Sequence, residues 1–181
     1  MRRLVLMCLI GVVGGFLVAG CATAPKSAEG KAELNTKVQN AISKAKKSDP
    51  GLQKFFDEAA GYAIFPTVGK GAIGVGGAYG KGEVYQAGQL EGYCTLTQAS
   101  IGLQLGGQAY TELIFFETPT ALDRFKTGNF AFAAQASAVA LRSGASANAK
   151  YANGVAVFTM GEAGLMYEAS IGGQKFSYEP K

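Results

Sequence analysis

From Lys31 onward the apolar positions recur every three or four residues. Leu34, Val38, Ala41, Ile42 and Ala45 fall on one stripe, which predicts an amphipathic helix. Lys31, Lys37, Lys44, Lys46 and Lys47 lie largely off that stripe. The helix is expected to stop at Ser48-Asp49-Pro50, with Asp49 capping a second short helix over about 50–60 and Pro50 as its first residue. Leu52, Phe55, Phe56 and Ala59 would face inward, and Gly61 would close the helix in a left-handed conformation.

Beyond Gly61 the period shortens to two, the signature of strands. Tyr62–Phe65 reads as a short strand stopped by Pro66. Ala72–Tyr79 and Glu83–Gln86 flank Gly80-Lys81-Gly82, which reads as a hairpin turn, and Leu90–Thr97 is another strand. Ile101, Leu103 and Leu105 alternate with Gly102, Gln104 and Gly106, and after a Gly106-Gly107 turn the sheet continues over Tyr110–Glu117. Thr118-Pro119 predicts the cap and first residue of a helix running to about Lys126. The Ala-rich run 132–142 reads as strand, with helix as its alternative. Val155–Met160 and Leu165–Ile171 are expected to pair across residues 161–164, and Phe176–Tyr178 to add an edge strand. The expected fold is α+β: a Gly-rich, mainly antiparallel sheet, coiled or barrel-like, with N-terminal amphipathic helices and one or two packed helices.

Composition narrows the chemistry. The chain has 181 residues, is 48% hydrophobic and carries 26 glycines. That suits a single well-cored domain, and glycines inside strands point to bulges, coiling or close backbone approach. There is no His and no Trp. The missing His excludes Ser-His-Asp and Cys-His catalysis and every His-ligated metal site. In Gly74-Val-Gly76-Gly77-Ala-Tyr79 a dinucleotide fingerprint would need Gly where Tyr79 stands, and Gly80-Lys81 lacks the Ser or Thr of a phosphate loop. The acids Asp57, Glu58, Glu112 and Asp123 are scattered, and Ser100 has no His partner. No catalytic residue, metal, nucleotide, cofactor or nucleic-acid partner is therefore expected.

The first twenty residues read as an export leader. Arg2 and Arg3 precede an uncharged run from Leu4 to Ala19, shorter than the ~20 residues of a membrane-spanning helix. Val18-Ala19-Gly20-Cys21 resembles the bacterial lipobox, in which the Cys sulfur is acylated. Ala at 22 rather than Asp, by resemblance to Gram-negative lipoproteins, points to the outer membrane. The organisation expected is thus a signal at 1–20, a lipidated tether at 21–30 and one domain at 31–181. Only Cys94 then remains as a thiol, read as buried and structural.

Ala60-Gly61-Tyr62-Ala63-Ile64-Phe65-Pro66, the glycine block from Gly71 to Gly82, and Thr97–Gln108 together resemble the SYLF domain. Ala121-Leu122-x-x-Phe125, Val155–Phe158 and Gly164-Leu165 continue the likeness, which covers roughly Leu34 to Gly173. The resemblance implies lipid binding, with an N-terminal amphipathic helix contributing. It links eukaryotic relatives to phosphoinositide membranes and a yeast relative to actin. The quoted blocks are mostly Gly, aromatic and aliphatic, so they read as determinants of the fold.

Charge adds the last element. Residues 26–54 hold seven lysines against three acidic residues, an excess of four, and the whole chain's net charge is also +4. Without Arg2 and Arg3 the chain's excess falls to two. Positive charge is thus concentrated beside the expected anchor, where each basic residue near an anionic surface contributes about 1 kcal/mol. Lys31, Lys37, Lys44, Lys46, Lys47 and Lys54 are the candidate lipid-binding residues, and Cys21 is the candidate lipidation site. The expected function is an outer-membrane-anchored lipoprotein that binds anionic phospholipid headgroups. The alternative is a non-catalytic envelope scaffold with a protein partner, its lysines an ordinary solvated face.

Overall fold

A computed structural model describes residues 23–73, 75–101, 108–133, 136–161 and 169–181. The leader, Cys21, the Gly106-Gly107 turn and residues 162–164 lie outside them. Helix α1 spans Ala28–Ser48, beginning three residues ahead of Lys31 because Ser27 caps it, its hydroxyl accepting from the Gly30 N–H at 3.0 Å. Leu34, Val38, Ala41 and Ala45 are buried. Ahead of the helix, the Ala24 N–H donates to a Glu179 carboxylate oxygen at 3.0 Å.

Helix α2 spans Leu52–Glu58, and two expectations at its ends are corrected. Its N-cap is Gly51 rather than Asp49. The Asp49 carboxylate instead accepts from the Gly51 N–H at 3.0 Å and, far along the chain, from the Ser146 N–H at 2.7 Å. Burial alone would raise Asp49, but the bonds from Ser146, Gly51 and Gly144 hold it below the usual carboxylate value. Gly61 is not a left-handed cap; it is the first residue of a strand. It is Gly because a Cβ there would lie 2.6 Å from the Tyr85 carbonyl oxygen and 2.7 Å from a Leu122 methyl.

The strands are β1 (Gly61–Ile73), β2 (Val75–Gln86), β3 (Gln89–Ile101), β4 (Gln108–Phe116), β5 (Ser137–Ala140), β6 (Val155–Gly161), β7 (Ala169–Ser170) and β8 (Lys175–Pro180). They form one sheet in the order β7-β5-β6-β4-β1-β2-β3-β8, antiparallel except for β5 beside β6. Helix α3 (Pro119–Lys126) follows β4 as expected, the Thr118 hydroxyl accepting from the Ala121 N–H at 3.2 Å. The Ala-rich run supplies the strand β5, and β8 is the expected edge strand beside β3. The stretch after residue 164 does not pair with β6 within the described residues; β7 pairs with β5.

Pro66 does not stop β1. The strand passes through it on a bulge, with register shifts between Ile64 and Thr67 against β2 and between Phe65 and Val68 against β4. A bulge is where a strand tolerates the missing N–H of proline. Facing it, Gly80-Lys81-Gly82 is not a turn but the middle of β2. A Cβ on Gly82 would lie 2.4 Å from the Ile64 carbonyl oxygen and 2.8 Å from the Phe65 ring, so this glycine lets the bulged strand approach. The hairpin turn lies further on, at Ala87-Gly88, between the paired Gln86 and Gln89. Both turn residues have positive φ, 49° and 73°.

The two end strands of the sheet, β7 and β8, are joined by only residues 171–174. The sheet therefore curls until its ends meet. The meeting is stitched by Phe132 N–H to the Gln174 carbonyl (3.0 Å), Phe176 N–H to the Phe130 carbonyl (3.0 Å) and Ile171 N–H to the Ala136 carbonyl (3.2 Å). The ladder is not closed into a barrel. The concave side encloses a core of Phe65, Phe116, Phe125, Phe130, Phe176 and their neighbours, roofed by α3. The convex side buries Ile64, Tyr85, Leu113, Phe115 and Phe158 beneath α1 and α2.

Ala87 in the left-handed region is strained, and a two-residue turn with both φ positive favours Asn-Gly. Ala87→Asn should raise unfolding stability by about 0.5–1 kcal/mol, read as a higher urea midpoint at unchanged slope.

Candidate lipid-facing site

Helix α1 is docked by apolar contacts and by a buried polar knot. Its stripe of Leu34, Val38, Ala41 and Ala45 packs on the convex face. Beside it, Asn35 Nδ2 donates to Glu83 Oε2 and to the Tyr85 hydroxyl, both at 3.1 Å. Gln39 Nε2 donates to the same hydroxyl at 3.0 Å, and that hydroxyl donates to Glu83 Oε2 at 2.6 Å. Glu83 is fully buried. Burial, with the Glu83 carboxylate, pushes the Tyr85 phenol far above its usual value, so it stays a donor. Because polar geometry is directional, the knot fixes the rotation of α1 and hence which face it turns outward.

The outward face carries the lysines. Lys37, Lys44 and Lys47 are exposed and, at spacings of seven and three, share one flank. Lys37 pairs with Glu33 at 2.6 Å on the exposed surface and lowers that carboxyl. Lys31 and Lys46 lie on the other flank, folded over rings: Lys31 Nζ is 5.0 Å from the Tyr93 centroid and Lys46 Nζ is 4.3 Å from that of Phe56. Lys54 stands apart on α2, 3.9 Å from Glu58. The candidate set is thus brought together as one exposed stripe of three, with two cation–π clamps and one separate residue. Cys21 lies outside the described residues. No described helix is long and apolar enough to cross a membrane.

A second polar group sits on the concave side. Glu112 and Gln174 are fully buried, with Gln174 Nε2 donating to Glu112 Oε2 at 2.9 Å and to the Tyr110 hydroxyl at 3.2 Å. Thr159, also fully buried, is the cross-strand partner of Glu112. Burial raises the Glu112 carboxyl to about 8, although Gln174 and Tyr110 partly offset it. At neutral pH it is therefore largely an uncharged acid. The other acids singled out in the sequence are exposed: Asp57 and Glu58 are neighbours on α2, bonded to Gln53 and paired with Lys54 respectively, and Asp123 lies on α3. Cys94 is a buried free thiol, pushed well up by burial and then by Glu83 and Glu112, which leaves it unreactive. Among the described residues no group of Cys, Asp and Glu forms a metal-ligand set.

The polar knot and the interior group were missed as units by sequence reasoning. One signal was available: Glu112 shares its period-two phase with Tyr110, Ile114 and Phe116, and Glu83 shares its phase with Tyr85. A carboxylate in phase with apolar neighbours is on a buried face.

Tyr85→Phe removes the hydroxyl that joins Asn35, Gln39 and Glu83. It should destabilise the protein by about 1–3 kcal/mol, with faster amide exchange in α1 than in β4. For Glu112, the folded state keeps a proton that the unfolded chain has released between its ordinary carboxyl pKa and about 8. Its contribution to stability therefore falls as pH rises through that window and is lowest above it. Relative to Glu112→Gln, the parent protein should lose roughly 4 kcal/mol of stability between pH 5 and pH 9, read from urea curves of both.

With this geometry in place, comparison with known proteins finds two likenesses. A family model described as "Las17-binding protein actin regulator", Ysc84, matches residues 97–180. The chain is also 30% identical over 154 residues to "Beta cell expansion factor A" of Aeromonas veronii, an alignment covering 84% of this chain and 59% of that protein. The chain spans somewhat over half the length of that curated relative. Residues 97–180 thus resemble the Ysc84 family, that of the SYLF domain.

Proposed function

We propose that this protein is a lipid-anchored component of the bacterial envelope whose domain binds anionic phospholipid headgroups through the lysine flank of α1. The observation that carries the reading is the exposed stripe of Lys37, Lys44 and Lys47 on a helix whose rotation is fixed. Its apolar stripe is already spent on the sheet, so α1 meets a surface by charge rather than by insertion. A preformed cationic face loses little entropy on contact, and each lysine adds about 1 kcal/mol near an anionic leaflet. The lipobox-like Val18-Ala19-Gly20-Cys21 would supply the anchor, and the two would reinforce each other. No catalytic step is part of this reading. The second reading, an envelope scaffold, is favoured by the family description, which names a protein-binding regulator.

Flotation with vesicles tests the assignment. Protein purified without acyl chains should float with phosphatidylglycerol or cardiolipin vesicles at low salt and not with phosphatidylcholine. Lys44→Glu with Lys47→Glu should reduce that binding about tenfold or more. These two residues have neither an ion pair nor a ring contact among the described residues, so the reversal breaks none of the described contacts, and the thermal midpoint reads the small cost of a carboxylate at the end of α1. Unchanged flotation after reversal would sink the helix-face assignment and favour the scaffold.

A further inference from the structure

The curled sheet has a lateral gap. Among the described residues β5 pairs with β6 at Val139↔Phe158 and Ala140↔Thr159, with the Leu141 N–H donating to the Thr159 carbonyl at 2.7 Å, because the chain before it diverges to pair with residues 171–176. Between that segment and the first half of β6 lies a cleft of about 850 Å³. This is within the roughly 300–1,000 Å³ of small-molecule sites. Its floor is the concave core itself: Phe130, Phe132, Val155, Val157 and Ile171 all border it. Its described lining includes two cations, Arg124 and Lys150, and no acid. Arg124 is held at the mouth, its guanidinium 5.2 Å from the Phe130 centroid and donating to the Asn153 carbonyl at 3.4 Å. Lys150 is exposed and has no ion pair among the described residues.

We propose that this cleft takes up a single-chain anionic amphiphile, a long-chain carboxylate, with its hydrocarbon on the apolar floor and its headgroup at Arg124 and Lys150. The apolar floor recognises a chain, and an acid-free mouth with two cations selects a negative headgroup. A neutral apolar ligand would leave the two cations unused. The site involves no residue of α1, so it stands apart from the surface-binding reading.

The test is fluorescence titration of the full chain with cis-parinaric acid and with its methyl ester. Saturable binding of one acid per chain is expected, displaced by oleate. Ala133→Trp with Ala152→Trp places bulk in the cleft from two exposed lining positions, and should weaken binding about tenfold while the thermal midpoint stays within a few degrees. Lys150→Glu with Arg124→Gln should weaken the acid about fivefold or more and the ester less than twofold. Absence of saturable binding, or indifference to both tryptophans, overturns the proposal. Equal losses for acid and ester overturn the headgroup assignment, and stronger displacement by two-chain phosphatidylglycerol than by oleate overturns the single-chain assignment. Lys44→Glu with Lys47→Glu should leave parinaric acid binding unchanged, which separates failure of this proposal from failure of the vesicle reading.

Discussion

The linkage of β7 to β8 through residues 171–174 forces the two ends of an eight-stranded sheet into one place. The five Cα–Cα steps from Ser170 to Lys175 reach at most about 18 Å, about half the width of an eight-stranded sheet at roughly 4.8 Å per strand, so a flat sheet is impossible and the strands must coil. Coiling demands that β1 and β2 come together more closely than side chains allow, and the chain meets that demand with Pro66 on a bulge facing Gly80 and Gly82. The concave face then closes over aromatic side chains from elements distant in sequence. Phe65, Phe125, Phe130 and Phe132 all lie against Phe176, with centroids 5.2 to 5.8 Å apart.

The same curl creates two unlike faces from one sheet. On the inside, the fully buried Glu112 is tolerated as a neutral acid, with Gln174 supplied by the very link that brings the ends of the sheet together. On the outside, Glu83 is reached by the hydroxyl of Tyr85 and the amide of Asn35. The two glutamates are thus managed differently: one gives up its charge, the other is tied to a helix. The second arrangement converts a buried polar group into a register device for α1, since rotation of the helix would take Asn35 from Glu83 and both Asn35 and Gln39 from Tyr85.

Local signals in the sequence were legible where they are self-contained. Thr118-Pro119 caps α3 because the cap bond is made three residues away, and the stripe of α1 appears directly as its buried face. What failed depends on a neighbour from elsewhere. Pro66 looks like a strand terminator until the register shifts beside it are known, and Gly80-Lys81-Gly82 looks like a turn until the Ile64 carbonyl is placed opposite. Ala87 carries no turn signal by residue type. Asp49 was read as a cap because Ser146, nearly a hundred residues on, is invisible in local sequence. The lysines of the candidate site were readable as a group, but not that Tyr93 and Phe56 claim two of them. The cleft left no local trace, because it arises where two strands fail to run together.

The packing of α1 also determines the kind of force the protein can exert on a surface. A helix that keeps its apolar stripe on the sheet offers exposed charges, Lys44 and Lys47 beside a Lys37 paired with Glu33, whose attraction decays over a screening length of about 8 Å at physiological salt. An apolar cleft draws on a force that salt does not screen and that grows with the area removed from water. The two proposed sites would therefore respond differently to ionic strength: binding at the lysine flank would weaken as salt rises, while chain uptake into the cleft would hold or strengthen, apart from its headgroup contribution. That divergence follows from which residues the curl of the sheet buries and which it leaves outside.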